Sequence, residues 1–552
     1  MFMSKSILSL SCECHDSNLS VYVNNQLYTI ELERIYGNRY LSFQSCSATE
    51  QESLLFSLKQ ILKDKGLLSP SFDVGLFCWE STEETVQKFC ELFNIIKVYH
   101  NDVDGSWPLK ITYEEGEDAT FHHRAHAAAA FYSSGFEEAL VFSYDGGGKP
   151  DGTVCVYDLK KPDPDFTQLN PSTMRSLTTK YCSLTSFIEE IRGPQKNNGY
   201  LHRRYDQVDH GGSGKFMGLS AYGVFDQSMF NACTKWLRST STQPLDYDFW
   251  EEIGPLVKNG IQGTISYNWA FNMQRAFETV FLELFVEFFD KSKHKNVCLT
   301  GGGALNVVLN ERLSKTYPNV NFFVPPSPGD SGLSSGMIVR YLKNPLVSES
   351  MYTGCEILDK GALSYILDHR AWKKATPKLI AKELTKGKII GICRGDSEIG
   401  PRALGNRTIL ADPRSHQAKD IINDKVKFRE WYRPFAPVCK EDKASIFFET
   451  SDNASYKYMS FSPQVREKYR TLLPAVTHVD GSSRLQTVSA QQNQFIYDIL
   501  DEFEKLTGIP VLVNTSFNTK GKAILTRYLT AMQVLDSTGL DSVVLEDYYI
   551  YK

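Results

Sequence analysis

Three times along this chain a short apolar strand runs straight into a loop of small polar residues or glycines: SLSCECHDSN at 9–18, FSYDGGG at 142–148 and LTGGGALN at 299–306. Glycine lacks a Cβ, so it lets backbone N–H groups approach phosphate oxygens closely and tolerates positive φ. Any one such loop is equally well a flexible turn. Recurring after three strands, they predict an α/β fold, with two half-domains of similar strand order sharing residues 1–345.

The second loop has chemical company. His122 and His126 are four residues apart in HHRAHAAAAFYSSG, on an expected alanine-rich helix, and that spacing stacks both imidazoles on one face. Two histidines at this spacing also occur by chance as ordinary polar residues at a helix start. Asp145 ends the strand before SYDGGG, and Asp330 sits in the glycine-bounded turn PSPGDSG. Two imidazoles and two loop carboxylates make a complete ligand set for a divalent ion. The set permits zinc, manganese, cobalt or iron, because imidazole plus carboxylate is not selective. His123 is turned about 100° from His122 on an ideal helix, which places it behind the ligands or facing outward. Strand-then-loop three times, with the histidine pair before the second, is the layout of actin-like ATPases.

Composition restricts the class further. The chain has 552 residues, 42% hydrophobic and 23% charged, enough for two to four domains. A net charge of −5 gives no global pull toward nucleic acid or membrane. The start, MFMSKSILSLSCECHDSN, breaks into polar residues too soon for a signal peptide. No apolar run reaches the roughly 18–20 residues of a membrane span, so no membrane association is expected. Twelve cysteines are scattered without a CxxC pair, the pattern of a reduced, cytoplasmic chain.

Alternating patterns predict an opening meander turned at Asn24-Asn25, later strands in FDVGLFCW, EALVFSYD and TVCVYDL, and a long amphipathic helix around AFETVFLELFVEFFDKS. Periodicity lapses near 343–353, which reads as a linker, and a new α/β segment follows with IPVLVNTSF as a buried strand.

Across nearly its whole length the sequence resembles the carbamoyltransferases of the nodulation and antibiotic-tailoring type. In the first part the likeness rests on HHRAHAAAAFYSSGF, SYDGGG, GKFMGLSAYG, LTGGGALNVVLN and PSPGDSG. In the second it rests on EIGPRALGNRTILADPR, KVKFREWYRPFAPV, HVDGSSRLQTV and GIPVLVNTSFN, longer strings in the family's order. The resemblance implies an actin-like (Kae1-like) carbamoyl-transfer domain over residues 1–345 and a YrdC-like α/β domain over 350–552 that forms carbamoyl adenylate from ATP, with Mg²⁺, and carbamoyl phosphate. It assigns His122, His126, Asp145 and Asp330 to a metal, usually iron(II) in this family. Nucleotide contacts are expected from Gly146, Gly147, Gly148, Gly301, Gly302, Gly303 and Asn306, while Lys215 either touches phosphate or caps a loop. His15 and Asp16 are the candidates for the base that takes the acceptor's proton, a capped turn being the alternative.

Joining two polyanions demands several cations, and Arg402, Lys427, Arg433 and Arg484 are the matching residues, arginine's fork suiting planar oxyanions. Asn514 and Ser516 would add small polar donors, whereas Arg407, Lys425 and Arg429 are expected to solvate a face. Two strings depart from the family. Lys520-Gly521-Lys522-Ala523 stands where the family has a Gly-Glu-Pro turn, and ERIYGNRY at 33–40 replaces a basic Arg-x-Lys-His run.

The expected activity is therefore ATP-dependent O-carbamoylation of a hydroxyl on a small metabolite or natural product. A hydroxymethylated pyrimidine in nucleotide or DNA is the alternative acceptor, because residues 185–212 interleave Arg192, Lys196, His202, Arg203 and Arg204 with Tyr200 and Tyr205. A tRNA-modifying protein and a non-catalytic actin-like scaffold are the rival classes; the second explains the glycine loops but neither the histidines nor the basic set. Oligomeric state is not legible in the sequence.

Overall fold

The computed structural model describes residues 5–12, 15–78, 81–100, 121–147, 153–162, 164–170, 177–192, 211–239, 261–292, 294–343 and 350–552. The opening meander forms as its alternation predicts. β1 (Ile7–Ser11), β2 (Asn18–Val23) and β3 (Gln26–Glu31) pair antiparallel. Asn24 and Asn25, at φ +53 and +63, make the two-residue turn between β2 and β3. On the other side of β1, β4 (Phe72–Phe77) and β5 (Ile95–His100) add in parallel, giving the order β3-β2-β1-β4-β5.

The second sheet repeats this plan. β6 (Glu138–Tyr144) pairs antiparallel with β7 (Val154–Lys160) and parallel with β8 (Asn296–Thr300), which carries β9 (Asn321–Phe323), in the order β7-β6-β8-β9. A lone antiparallel bridge between Tyr157 and Gln168 stands where the first sheet has β3. The two half-domains expected from the loop spacing are thus present as two sheets of one topology.

Between the sheets lies the helix His122–Ser133. Its run of small residues has a steric purpose: Ala125, Ala127, Ala128 and Ala130 are at most 1% exposed. Gly336, in the helix Leu333–Leu342, approaches so closely that a Cβ there would lie 2.2 Å from the Ala125 carbonyl oxygen. Alanine and glycine let the two helices touch backbone to backbone.

The third sheet holds β10 (Trp372–Lys374), β11 (Ile390–Cys393), β12 (Arg407–Ala411), β13 (Ala436–Lys440), β14 (Gln486–Val488), β15 (Val511–Ser516), β16 (Ser542–Leu545) and β17 (Tyr548–Tyr551). Its order is β10-β17-β16-β11-β12-β15-β13-β14, with parallel and antiparallel pairs mixed. The described residues form a mixed α/β protein with three sheets.

The expected linker is only partly a linker. Residues 344–349 lie outside the described residues, but 351–358 pack on the first sheet, where Thr353 accepts from the Thr29 N–H at 3.1 Å and Cys355 joins the apolar core. A single buried cluster runs from Leu140 and Phe142 under the second sheet to Val511, Val543 and Ile550 in the third. Asn453 donates its amide to the carbonyls of Ser314, Tyr317 and Val320 at 3.1, 2.9 and 2.8 Å, so the end of the helix Val307–Thr316 is capped from the C-terminal segment. No helix among the described residues is long and apolar enough to cross a membrane.

Candidate active site

The strand-end loops of the first two sheets face each other, and four side chains converge between them. One donor atom from each of His122, His126, Asp145 and Asp330 lies within 4.8 Å of all the others. Two donors each about 2.1 Å from a shared ion stand roughly 3–4.2 Å apart, and His126 Nε2 is 3.3 Å from both Asp145 Oδ2 and Asp330 Oδ1. His126 Nε2 and Asp330 Oδ1 are buried without a partner of hydrogen-bond geometry. An N₂O₂ set of this spacing, with such orphaned atoms pointing inward, fits a divalent cation.

Local structure holds each donor. The pair of histidines projects from one face of its helix, ring centroids 4.6 Å apart. His123 is not outward facing: it is fully buried, and its Nδ1 meets Ser143 Oγ at 2.8 Å. Asp145 accepts from the Gly146 and Gly302 N–H groups, each at 2.6 Å. Two glycine-loop amides are therefore used on a carboxylate. Gly301, at φ +85, and Gly303 pack so tightly on Tyr144 that any Cβ would collide with it. Burial pushes the Asp145 carboxyl up, but the His126 imidazole 3.3 Å away, the charge of His122 and the Gly302 N–H outweigh it and hold it well below the usual range. His15 stands beside the cluster, its Nδ1 3.0 Å from Asp16 Oδ2 and its Nε2 3.4 Å from Asp330 Oδ2. Asn18 ties these loops together, donating to the Asp16 carbonyl at 2.7 Å and the Asp330 carbonyl at 2.8 Å.

A cleft of about 360 Å³ opens from this wall, and the opposite wall comes from the third sheet. There Arg402, Arg433, Arg484 and Ser516 line the cavity. Burial pushes the Arg402 guanidinium down to about 10, with the charges of Arg39 and Arg433 acting in the same direction. Arg484 is driven well down by burial and then by Arg402, Arg429 and Arg433. Cations that depress one another across a cleft form a site for a polyanion.

Other expected residues have different places. Lys427 is absent from the cleft lining. It is buried and donates to the Ser516 carbonyl (2.6 Å), the Asn518 carbonyl (2.8 Å) and Asn518 Oδ1, bracing the loop after β15. Asn514 reaches the cleft, but its amide donates to the Ala403 carbonyl (3.0 Å) and Gln486 Oε1 (2.5 Å). Lys215 lines the cleft and lies 3.5 Å from Glu430 across the boundary between halves. Asn306 and Gly302 line it too; Gly147 is described but stands in open space, and Gly148 lies outside the described residues, as do Lys196, Tyr200, His202, Arg203, Arg204 and Tyr205.

Two residues expected on a solvated face are not there. Arg407 is fully buried and gives its guanidinium to the Arg394 and Gly395 carbonyls, each at 2.7 Å. Arg429 lines the cleft. A π-helical turn, Ile422–Lys427, precedes Arg429 and ends at Phe428 with φ +49, so regular helical spacing does not carry through from Lys427 to Arg429. Arg39, Glu33 and Thr178 also line the cleft and were not selected from sequence; Arg39 lies inside the 33–40 string already marked as unusual.

Comparison with known proteins gives the family. Residues 83–339 match the family described as Carbamoyltransferase N-terminus, and 381–552 match Carbamoyltransferase C-terminus. Nodulation protein NolO of Bradyrhizobium diazoefficiens is 33% identical over 465 residues, covering 78% of this chain and 78% of the relative. Nodulation protein NolNO of Sinorhizobium fredii is 32% identical over 456 residues; the match spans 78% of this chain but only 63% of that protein. Among solved structures, HypF of T. kodakarensis aligns with 63% of this chain and 49% of its own, at 14% identity and a TM-score of 0.36.

Proposed function

Because the chain belongs to the carbamoyltransferase family, matching its N- and C-terminal parts in order, we propose that it carries out ATP-dependent O-carbamoylation in two stages within one cleft. One observation supports this above others: Asp145 and Asp330 of the four-donor metal-type cluster line the same cavity as Arg402, Arg429, Arg433 and Arg484.

In the first stage water hydrolyses carbamoyl phosphate to carbamate and inorganic phosphate, and a carbamate oxygen then attacks the α-phosphorus of ATP. Pyrophosphate leaves and carbamoyl adenylate remains. Arg402, Arg433 and Arg484, with Arg429, neutralise the phosphates gathered there, while Lys427 acts through the loop that carries Ser516. In the second stage an acceptor oxygen attacks the carbamoyl carbon, AMP departs and a proton must be taken up. His15 and Asp16 border that space, with both imidazole nitrogens facing carboxylates, so the proton taken up is shared along Asp16–His15–Asp330. A divalent ion on His122, His126, Asp145 and Asp330, iron(II) by family likeness, would supply Lewis-acid polarisation and phosphate neutralisation. Residues 1–345 are then the transfer domain and 350–552 the adenylating domain.

The favoured acceptor is a small hydroxyl compound. The side chains that suggested a nucleic-acid groove, Arg203 and Arg204, lie outside the described residues and add nothing to that alternative. Incubation with ATP, carbamoyl phosphate and a panel of alcohols tests the reading by product mass. A gain of one carbamoyl group, with pyrophosphate release that depends on carbamoyl phosphate, is the expected result. Nucleotide binding without pyrophosphate release would favour a scaffold and end the proposal.

A further inference from the structure

The two strings that depart from the family pattern meet in space. Asn38, in the first, and Lys522, in the second, pair as an isolated antiparallel bridge. Lys522 Nζ donates to Asn38 Oδ1 at 2.9 Å, and the Ala523 N–H donates to the Gly37 carbonyl at 3.2 Å. A proline at 523 would lack that N–H, so the alanine found here is what permits the junction.

Each end of this strap is anchored in one wall of the cleft. On the C-terminal side Asn518 donates to the Lys522 carbonyl at 2.7 Å, and its Oδ1 accepts from Ser516 at 2.8 Å and from Lys427. On the N-terminal side Gly37 ends the short helix Leu32–Tyr36 at φ +88. Three residues on, the Tyr40 N–H donates to Glu33 Oε2 at 2.8 Å. Arg39 is held between these anchors. It lines the cleft, with its guanidinium 4.7 Å from the Tyr40 ring centroid.

We propose that Arg39 is a phosphoryl-binding residue of the adenylating site, contributed across the boundary by the N-terminal half and aimed by the Lys522–Asn38 strap. The inference rests on the two-stage reading above. Its electrostatics agree, since the charge of Arg39 adds to burial in pushing Arg402 down and acts in the same sense on Lys427. The facing cations are Arg402, Arg429, Arg433 and Arg484. The nearby carboxylate Glu430 lies 3.5 Å from Arg433 and from Lys215, and 3.6 Å from Lys520, so it neutralises the rim of the set. A phosphoryl group is the ligand such a cluster selects, from carbamoyl phosphate or from the nucleotide. Arg39 would thereby make adenylation depend on the two halves being docked.

The test needs no acceptor. Pyrophosphate release is followed while carbamoyl phosphate is varied at saturating ATP, and then the reverse, which separates the two sources. Arg39→Ala should raise one KM roughly 10- to 100-fold, the loss of a charge-assisted contact, and Arg39→Lys should recover part of it. Lys522→Ala should raise the same KM in the wild-type background but have little further effect on Arg39→Ala, the coupling expected when one residue aims the other. Both KM values within twofold of wild type in a folded Arg39→Ala protein, or simple additivity of the two changes, would overturn the proposal. Calorimetric binding of inorganic pyrophosphate separates the inference from the reaction. Weaker binding by Arg39→Ala alongside an inactive wild type would keep the anion site and remove the function. Equal binding, or none by the wild type, would remove Arg39 from the site.

Discussion

Gly336 offers the sharpest test of how the metal-type cluster is held. A methyl group there would sit 2.2 Å from the Ala125 oxygen and 2.8 Å from its carbonyl carbon, where real Cβ contacts do not fall below 3.0 Å. The obstacle is backbone, so no rotamer change relieves it, and the helices His122–Ser133 and Leu333–Leu342 must separate by about 1 Å. Overpacking of this kind costs about 1–3 kcal/mol, offset in part by about 1 kcal/mol from alanine's better helix propensity. The separation matters more than the energy. His122 and His126 ride on one helix and Asp330 begins the turn leading into the other, so the displacement pulls the donors apart. Metal–ligand distances tolerate only about ±0.2 Å. Gly336→Ala should therefore lower the thermal midpoint modestly and the metal content severely, while Gly361→Ala, where nothing lies within 4 Å of the new Cβ, serves as the control. The assays are thermal denaturation of metal-free protein and elemental analysis after reconstitution. Full metal occupancy at wild-type stability in Gly336→Ala would refute the argument that backbone contact sets the donor spacing.

Asp330→Asn keeps the side-chain size but removes its charge, and metal content by elemental analysis should fall sharply; full occupancy would take Asp330 out of the ligand set. Arg433→Ala should abolish carbamoyl-phosphate-dependent pyrophosphate release, whereas His126→Ala should largely spare it while blocking transfer, and loss of pyrophosphate release in a folded His126→Ala protein would undo that division. Burial pushes the Glu311 carboxyl up to about 7 from about 4.5, opposed by Lys315 and the Tyr456 hydroxyl. Its folded pKa exceeds the unfolded one, so its stabilising contribution is complete below about pH 4.5 and is lost as pH rises through 7. Glu311→Gln should then be the more stable protein at pH 8 by up to about 3 kcal/mol, with the difference nearly gone by about pH 4; parallel urea curves at both values would exclude the effect.

Much of the fold was legible because its signals are local. Alternation in the opening meander, positive-φ asparagines at its turn, small polar residues after β1 and glycines after β6 and β8 all act within a few residues. The i,i+4 histidine spacing likewise needed only helix geometry. What escaped was decided by partners distant in sequence. Lys427 reads as one more cation of the basic set, but its ammonium finds the loop after β15, 89 residues away. Arg407 looks like surface charge until the carbonyls of 394 and 395 are seen to enclose it. Lys427 ends a π-helical turn and Arg429 follows the left-handed Phe428, a break that no residue pattern announced. The glycine loops were read as phosphate cradles, yet two of their amides hold Asp145. Even the departures at 33–40 and 520–523 were visible singly, but that they touch was not.

Asn453 gives the chain a timetable. The helix Val307–Thr316 and the turn to Val320 end on carbonyls that wait for an amide 133 residues further along the chain. At translation rates of about 5–20 residues per second, that partner emerges roughly 7–27 seconds after Val320. During that interval the second sheet stands without its last hydrogen bonds and without the apolar surface that later covers it. A ribosome stalled before Asn453 would hold a protease-sensitive nascent chain, and one released beyond it a protected one.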